Sequence, residues 1–302
     1  LVILESTSPV GTTERVAEII GEARPDLAVP RFGDEEGGDI ALAYCPERVL
    51  PGRIVTELVY NDRVIGGVTP ACAERAAALY HSFVKGDCLV TNARIAETVK
   101  LVENSFRDVN IALANELSMI ADAMEIDVWD VIRLANRHPR VHILQPGPGV
   151  GGHCIAVDPW FLVSGAPQTA RLVRTAREVN DHKAIHTEQR IRALLEAAPG
   201  GRVALLGLAF KPGIDDFRES PALEIAAALA RDLGERILIV EPFTEELPRE
   251  LAGTGAVLAT LDAALREAEV VVVFVDHTAF RHLAPDDLAG RIVYDTRGML
   301  KR

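Results

Sequence analysis

The sequence predicts an α/β fold with two parallel-sheet domains joined by a long central helix. Short apolar runs alternate with helical patterns near both ends of the 302-residue chain, which is typical of βαβ units. Between these regions, residues 92–124 form one helical pattern without proline or glycine. The length suits two domains, and a hydrophobic fraction of 48% is sufficient for a core in each.

The first predicted domain covers residues 1–91. The wholly apolar run Leu1–Leu4 is typical of a parallel strand buried on both faces, and it precedes a Ser/Thr-rich turn. A helix over 14–23 follows, and Thr12 or Thr13 would cap it. Further elements are predicted as strands at 41–44, 63–66 and 89–91 and a helix from Thr69 to about Phe83. Because the chain begins on a strand without a methionine, we expect this domain to be truncated at its N terminus.

Residues 92–166 are predicted to be a central helical region. Apolar side chains recur in steps of three and four along one face of the 92–124 pattern, which is either one helix or two with a break. That face is typical of a spine between domains and of a homodimer interface. A shorter helix over 127–136 precedes the glycine-rich segment Gln145–Phe161.

Residues 167–302 are predicted to form the second α/β domain. A helical pattern over 167–197 ends at Gly200 and Gly201. The predicted strands cover 202–208, 236–240, 256–259, 269–275 and 291–295, with helices at 221–233 and 261–268.

Composition excludes several classes of function. The net charge of −12 argues against nucleic-acid and membrane-surface binding, although a few arginines and lysines can still bind an anionic small molecule. No apolar run reaches the ~18 residues of a membrane span. The four cysteines show no C-x-x-C spacing, so neither disulfides nor a metal site are expected. We therefore expect a cytoplasmic protein.

The segment Gln145–Phe161 is the first candidate for chemistry. Dense glycines allow a backbone to approach another group closely and to adopt positive φ. Cys154 stands at the end of this glycine run, and Asp158 follows four residues later. A buried, inert cysteine on a surface turn is the alternative, since free cysteines are often buried.

Other polar residues follow predicted strands or share a helix face. Lys100 and Asn104 are four residues apart on the long helix. Glu97, Glu103 and Arg107 flank them, and a solvated stripe of charges is the commoner interpretation of this set. Glu47 follows a strand and is, taken alone, an ordinary loop residue. Lys211, Arg218 and Arg297 lie in loops after strands of the second domain, a common place for phosphate or nucleotide groups.

Taken together, these segments resemble the UDP-sugar dehydrogenases, a family that oxidises the C6 alcohol of nucleotide sugars. The matching blocks span nearly the whole chain in the family's order. They read E-S-T-S-P-V-G-T-T, C-P-E-R-V-L-P-G, A-E-T-V-K-L-V-E-N-S-F-R-D-V-N-I-A-L-A-N-E-L, H-P-R-V-H-I-L-Q-P-G-P-G-V-G-G-H-C-I-A-V-D-P, G-L-A-F-K-P-G-I-D-D-F-R-E-S-P-A and D-T-R-G. The resemblance implies two Rossmann-like domains, NAD as cofactor, a UDP-sugar substrate and a homodimer.

The resemblance also implies roles for individual residues. Cys154 corresponds to the nucleophile that carries a thiohemiacetal and then a thioester, and Lys100 and Asn104 correspond to stabilisers of the reacting oxygen. Asp158 corresponds to the aspartate that orients water or the lysine, and Glu47 to a base for thioester hydrolysis. For binding, the implied positions are Thr7 and Arg218 for NAD and, for the UDP-sugar, Arg140, Gly149, Gly151, Gly152, Lys211 and Arg297.

Two choices stay open at this point. The C-P-E-R-V-L-P-G and G-G-H-C-I-x-V-D-P spellings are similar to those of members that act on UDP-N-acetyl-D-mannosamine, whereas UDP-N-acetylglucosamine or UDP-glucose is the alternative substrate. A non-catalytic nucleotide-sugar-binding protein is a further alternative. No G-x-G-x-x-G motif follows a strand, so we expect the N-terminal NAD-binding part to be missing and the chain alone to be inactive.

Overall fold

The computed structural model describes residues 1–35, 37–49 and 53–301. The chain forms two compact units, the first made of Leu1–Phe106 with Asp158–Arg171 and the second of Arg107–Val157 with Leu172–Arg302. In chain order the strands and main helices are β1 (Val2–Leu4), α1 (Thr12–Ala23), β2 (Leu42–Tyr44), α2 (Ile54–Tyr60), β3 (Arg63–Gly67), α3 (Pro70–Tyr80), β4 (Cys88–Asn92), α4 (Ala93–Ala123), α5 (Val128–Ala135), α6 (Asp158–Gly165), α7 (Arg171–Glu196), β5 (Arg202–Leu206), α8 (Pro221–Leu233), β6 (Ile237–Val240), β7 (Val257–Leu258), α9 (Leu261–Glu267), β8 (Ala268–Val273) and β9 (Ile292–Asp295).

The sheet of the first unit has the order β1-β2-β3-β4. The pairs β1–β2 and β3–β4 are parallel, but β2 and β3 are antiparallel, so this sheet is mixed rather than wholly parallel. β1 lies at the end of this strand order and is only half-buried, with Val2 39% exposed, so the interpretation of residues 1–4 as a strand buried on both faces is wrong. One small core here is centred on Ala43, Ile65, Ala76 and Tyr80, and another contains Ala17, Leu42 and Val68.

The second unit contains a five-stranded parallel sheet in the order β7-β6-β5-β8-β9. Along β5, Val203 and Leu205 pack with α8 on one face, whereas Ala204 and Leu206 join a separate core on the other face. Both faces are therefore covered, as the continuous apolar strands of a parallel sheet require. The predicted α/β class is confirmed, and the strand order matches the first five strands, 3-2-1-4-5, of the Rossmann order.

The central helix α4 is continuous over 31 residues, so the alternative of two helices with a break is wrong. Two helices were not predicted. One is α2, and the other is α6, which begins at Asp158 directly before Pro159. A proline is compatible with the first turn of a helix, where its missing N–H would have no partner in any case. Among the described residues, no helix is long and apolar enough to cross a membrane.

Candidate active site

Three predicted catalytic side chains lie together in the first unit. Lys100 and Asn104 are one turn apart on α4, and Asp158 is the first residue of α6. The Asn104 side-chain amide donates to Oδ2 of Asp158 at 2.5 Å. Nζ of Lys100 donates to the main-chain oxygen of Glu47 at 2.9 Å. The four-residue spacing on α4 thus presents an ammonium and an amide on one face, as the sequence predicted.

Asp158 is the most desolvated member of this group. It is only 3% exposed, and burial raises the pKa of its carboxyl, while the Asn104 hydrogen bond and the Lys100 charge oppose that rise. Tyr44, at the end of β2, is fully buried, and burial together with the charges of Glu97 and Asp158 raises its pKa to about 12. The carboxyl of Asp158 is therefore more readily protonated in this environment than it would be in water.

Glu47 enters this group through its backbone rather than its carboxylate. Its side chain is exposed and accepts the N–H of Val49. The neighbouring Arg48 pairs with Glu103 of α4 at 2.7 Å, which ties this loop to the helix. Residues 50–52 of the C-P-E-R-V-L-P-G motif lie outside the described residues.

Cys154 belongs to the second unit, on the turn that leads toward α6. It is exposed, and its main-chain oxygen accepts the N–H of Val157 at 3.1 Å. Cys45 and Cys72 are buried and Cys88 is half-buried, and burial raises the pKa of both Cys45 and Cys88. Cys154 is therefore the most accessible of the four free thiols, and the alternative of a buried, inert cysteine is wrong.

The glycines before Cys154 pack against the protein itself. A Cβ on Gly151 would lie 2.1 Å from the main-chain oxygen of Glu219, and one on Gly149 would lie 2.8 Å from Cβ of Pro221. Gly152 has φ +85° and donates its N–H to the same Glu219 oxygen at 3.2 Å. Side chains at these positions would lift the loop away from the start of α8. The close backbone approach that the glycines predicted is therefore present, and contact of this loop with a ligand stays a prediction.

A chain of buried polar side chains fixes the start of the glycine loop. Oδ1 of Asn115 accepts the N–H of Gly147 at 2.9 Å, and its amide donates to Oδ1 of Asn180 at 2.9 Å. Asn180 in turn donates to Asp108 at 2.8 Å, and Arg177 donates to the same carboxylate at 2.7 Å. All four side chains are at least nine-tenths buried. These four side chains were not predicted from the sequence. The pattern that could have indicated Arg177 and Asn180 is their position on the face of α7 that also carries Ala176 and Ile191.

The predicted UDP-binding cations occupy separate loops of the second unit. Arg297 lies 3.3 Å through Nε from Asp276, and its Nη1 donates to the main-chain oxygen of Pro146 at 3.3 Å. Nζ of Lys211 lies 5.4 Å from the ring centroid of Phe210. Arg297 is thereby attached to the glycine loop, whereas Lys211 contacts its own neighbour in the chain, Phe210.

Two further arginines are exposed. Arg218 pairs with Asp216 through two hydrogen bonds of 2.9 and 2.7 Å, and this guanidinium lowers the pKa of Asp216 to about 2. Arg140 is exposed, and its main-chain N–H donates to Nδ1 of His138 at 3.3 Å. Both positions leave a guanidinium accessible to an anion.

The start of α1 is occupied by a buried carboxylate. Glu97 of α4 accepts the N–H groups of Gly11 and Thr13 at 2.6 and 2.8 Å and the Thr13 hydroxyl at 2.7 Å. The expectation that Thr12 or Thr13 caps α1 is therefore wrong, as is the assignment of Glu97 to a solvated stripe. A carboxylate is a favourable partner for a helix N terminus.

Thr7 is one of the two residues predicted to contact NAD. Thr7, beyond the end of β1, is half-buried, and its hydroxyl has no hydrogen-bond partner in the part of the chain that the structure describes. A free hydroxyl at the carboxyl end of a parallel strand is suitable for contact with a cofactor. No group of three or more His, Cys, Asp and Glu in the described ranges is arranged to hold a metal ion.

Comparison with known proteins adds independent findings. Three models of the UDP-glucose/GDP-mannose dehydrogenase family match the chain: the NAD binding domain over residues 1–84, the central domain over 94–182 and the UDP binding domain over 204–302. The chain is 55% identical over 307 residues to UDP-N-acetyl-D-mannosamine dehydrogenase of Escherichia coli strain K12, covering 99% of this chain and 73% of that protein. The chain belongs to the UDP-glucose/GDP-mannose dehydrogenase family.

Two other relatives have similar coverage. NDP-N-acetyl-D-galactosaminuronic acid dehydrogenase of Ralstonia nicotianae is also 55% identical, over 299 residues that cover 99% of this chain and 70% of that protein. The solved structure of UDP-D-ManNAc dehydrogenase from Pyrococcus horikoshii superimposes with a TM-score of 0.84 at 39% identity, covering all of this chain and 70% of that one.

Family membership confirms several predictions and corrects one. The chain is an NAD-dependent UDP-sugar dehydrogenase with Rossmann-like domains. The expectation that the NAD-binding part is missing is wrong, because residues 1–84 match the family's NAD binding domain. The reason given for expecting the chain alone to be inactive is therefore removed. The signal we used, the absence of a G-x-G-x-x-G motif after a strand, concerns one loop and does not define the whole domain.

The raised pKa of Asp158 leads to a prediction on stability. An acid whose pKa is higher in the folded state contributes stability at low pH, and this contribution is lost as the pH rises through the folded pKa. We expect Asp158→Asn to raise the thermal unfolding midpoint at pH 7, and the gain to shrink as the pH falls toward about 4, the ordinary range of an aspartate. Scanning calorimetry between pH 4 and 8 measures both effects.

The matched control is Asp130→Asn, which removes an exposed carboxylate paired with Arg133. It should show no pH-dependent gain. A lower midpoint for Asp158→Asn at pH 7, or an equal gain at every pH, would contradict the assignment of a desolvated carboxylate.

Proposed function

We propose that the enzyme oxidises the C6 alcohol of UDP-N-acetyl-D-mannosamine to the uronate, with Cys154 as the covalent carrier. The observation that carries this proposal is the placement of Lys100 and Asn104 near the buried carboxylate of Asp158. The exposed thiol of Cys154 lies only four residues before that carboxylate in the chain. A protein that only bound nucleotide sugars would have no use for that set.

The reaction proceeds in balanced steps. NAD⁺, when bound, accepts a hydride in each of two oxidations. In the first, the alcohol loses a hydride and a proton and becomes an aldehyde. The Cys154 thiol gives up its proton and its sulfur adds to the aldehyde carbon, while the carbonyl oxygen takes up a proton. The resulting thiohemiacetal loses a second hydride and its hydroxyl proton to give a thioester. Water then adds to the thioester carbon and the C–S bond breaks, which yields the carboxylate and a proton and leaves the sulfur protonated as the thiol.

The polar residues divide the remaining tasks. Lys100 and Asn104 stabilise negative charge on the reacting oxygen, because one supplies a positive charge and the other an N–H donor from the same helix face. Asp158 takes up a proton or orients water, a role that suits a carboxyl with a raised pKa. Glu47 is the base for thioester hydrolysis, and its exposed carboxylate is accessible to water.

Binding is assigned to the loops at strand ends. Lys211 and Arg297 contact the UDP end of the substrate, while Arg140 and the loop of Gly149, Gly151 and Gly152 surround the sugar nucleotide. Thr7 and Arg218 contact NAD.

The division of the chain into domains at residues 1–91, 92–166 and 167–302 stays a prediction, and so does the cytoplasmic location.

The choice of sugar rests on similarity to characterised relatives. The Escherichia coli relative acts on UDP-N-acetyl-D-mannosamine, and the loops around Glu47 and Cys154 have the spelling of that group. The equally similar Ralstonia relative is named for a galacto-configured uronic acid, so an acetamido group is common to both. This favours an N-acetylated sugar over UDP-glucose.

The covalent step can be tested by removing the thiol. We expect Cys154→Ala to reduce formation of the uronate by about 10³-fold or more, because the aldehyde can no longer be converted into a thioester. Binding of the UDP-sugar should stay within about twofold. Mass spectrometry of the product and calorimetry of UDP-sugar binding measure the two effects.

Cys88→Ala is the matched control, since Cys88 is also a partly accessible free thiol. It should oxidise the substrate at the parental rate. Uronate formation by Cys154→Ala at that rate would exclude the covalent route.

The sugar assignment is tested with a substrate panel. We expect kcat/KM to be highest for UDP-N-acetyl-D-mannosamine, followed by other UDP-N-acetylhexosamines, with UDP-glucose at least about tenfold lower. An acetamido group that makes one additional hydrogen bond accounts for a difference of that order. The rate of NADH formation is the measurement, and equal turnover of UDP-glucose would overturn the assignment.

We also propose a homodimer that forms along α4. Apolar side chains spaced seven or four residues apart on this helix remain about half or more exposed within the chain, namely Ile95, Val102, Phe106, Leu113 and Ile120. A contiguous exposed apolar stripe is typical of a protein interface. We expect light scattering to give twice the chain mass, and Val102→Glu to shift this toward the monomer whereas Arg107→Ala does not. A monomeric parental enzyme at micromolar concentration would exclude the dimer.

A further inference from the structure

Two buried side chains of the second unit, Glu241 and His277, contact the segment that carries Lys211. Glu241 directly follows β6, and His277 lies beyond the end of β8. Both side chains are completely buried. The imidazole also packs on the rings of Phe243 and Phe280, with centroid distances of 5.0 and 5.6 Å. Polar groups so far from water are stable only when the protein satisfies their hydrogen bonds.

Glu241 fixes the point where the chain leaves β5. Its Oε2 accepts the N–H groups of Leu208 and Ala209 at 2.7 and 3.3 Å, and its Oε1 accepts the N–H of Phe243 at 3.1 Å. Burial alone would raise the pKa of Glu241, but the neighbouring His277 imidazole and the N–H donated by Leu208 outweigh burial and hold it below its ordinary value. The carboxylate is therefore an ionised acceptor for several donors.

His277 fixes the other end of the same segment. Its Nδ1 accepts the N–H of Gly213 at 3.1 Å, so the proton of the neutral ring is on Nε2. Nε2 lies 3.3 Å from Oε2 of Glu241. The pair thus holds the chain at 208–209 and again at Gly213, with Lys211 between these two points.

The same end of β8 also orients the second cation assigned to UDP. Asp276, which precedes His277, is 5% exposed and lies 3.3 Å from Nε of Arg297. Adjacent residues of one strand end therefore act on Arg297 directly and on Lys211 through its loop. The two candidate UDP-binding side chains are thus both connected to the segment that follows β8.

We propose that His277 and Glu241 are positioning residues for the UDP part of the substrate, acting through the loop that carries Lys211. This rests on the placement of Lys211 at the UDP end in the proposed function. Neither residue contacts substrate. Without the pair, the loop would sample more conformations, and UDP binding would have to order it at the expense of affinity.

The test compares two substitutions that each keep one half of the imidazole's contacts. His277→Gln keeps an amide near the position of Nε2 but loses the acceptor for Gly213. We expect it to raise the UDP dissociation constant about three- to tenfold, the size of one lost buried hydrogen bond. His277→Asn keeps an acceptor near Nδ1 and should lose less. Calorimetry with UDP on the whole enzyme measures both, and the KM for NAD and kcat should stay near parental values.

Thr278→Ala is the control, since Thr278 is the exposed neighbour of His277 and should leave UDP affinity unchanged. A double-variant cycle with Lys211→Met separates positioning from general destabilisation. If His277 acts through Lys211, adding His277→Gln to Lys211→Met should weaken UDP binding by less than the product of the single effects.

Several results would overturn the proposal. They are an unchanged UDP dissociation constant in folded His277→Gln, fully additive effects in the double variant, or a parental enzyme that does not bind UDP. Should His277→Gln fail to fold, the same cycle with His277→Asn decides the question. A parental enzyme that binds UDP but does not oxidise UDP-N-acetyl-D-mannosamine would refute the proposed function alone, because UDP affinity is measured without that sugar.

Discussion

The buried polar chain that starts at Gly147 is the constraint on which the glycine loop depends. Asn115 and Asn180 connect the N–H of Gly147 to the Asp108–Arg177 ion pair. All four side chains are buried in the second unit. An ion pair in such surroundings gains little stability overall, but removing one partner leaves a buried charge uncompensated. The arrangement of these side chains is therefore tightly specified, and so is the start of the loop that ends in Cys154.

The first unit contains the opposite kind of polar group, one that costs stability. Asp158 is buried at the start of α6 beside Asn104, and its desolvation exceeds what the amide and Lys100 return to it. Glu97 is also a buried carboxylate, but it accepts three hydrogen bonds at the start of α1, and these compensate for its loss of contact with water. The contrast is expected if Glu97 supports the fold whereas Asp158 is kept reactive.

Local patterns were sufficient to predict the long periodic helices and the shared helix face of Lys100 and Asn104. Steps of three and four fix which side chains share a helix face, and α4 and α8 lie within a residue of their predicted limits. Partners distant in the sequence could not be predicted. Glu97 accepts hydrogen bonds from residues more than 80 positions earlier in the sequence, and Asn180 donates one to Asp108, which is 72 positions earlier. Periodicity assigns charged and amide side chains to solvent by default, so both were overlooked.

The helix α6 shows a different limit. Its sequence follows a glycine-rich loop and has a proline at the second position, so local composition resembles a turn. What makes it a helix is tertiary: Asp158, Pro159 and Val163 are buried. The antiparallel pairing of β2 with β3 is likewise a matter of how the chain returns to the sheet, which apolar runs alone do not specify.

In each unit, some of the candidate functional residues lie just beyond the carboxyl ends of strands. In the second unit, Lys211 follows β5, His277 follows β8 and Arg297 follows β9, and these three strands are parallel neighbours whose carboxyl ends meet at one edge. In the first unit, Thr7 follows β1 and Glu47 follows β2, again a parallel pair. A parallel sheet brings loops distant in sequence to one edge, where they can bind a ligand jointly. Neighbouring strands must therefore keep their register, because a shift of one strand would separate the loops that follow them.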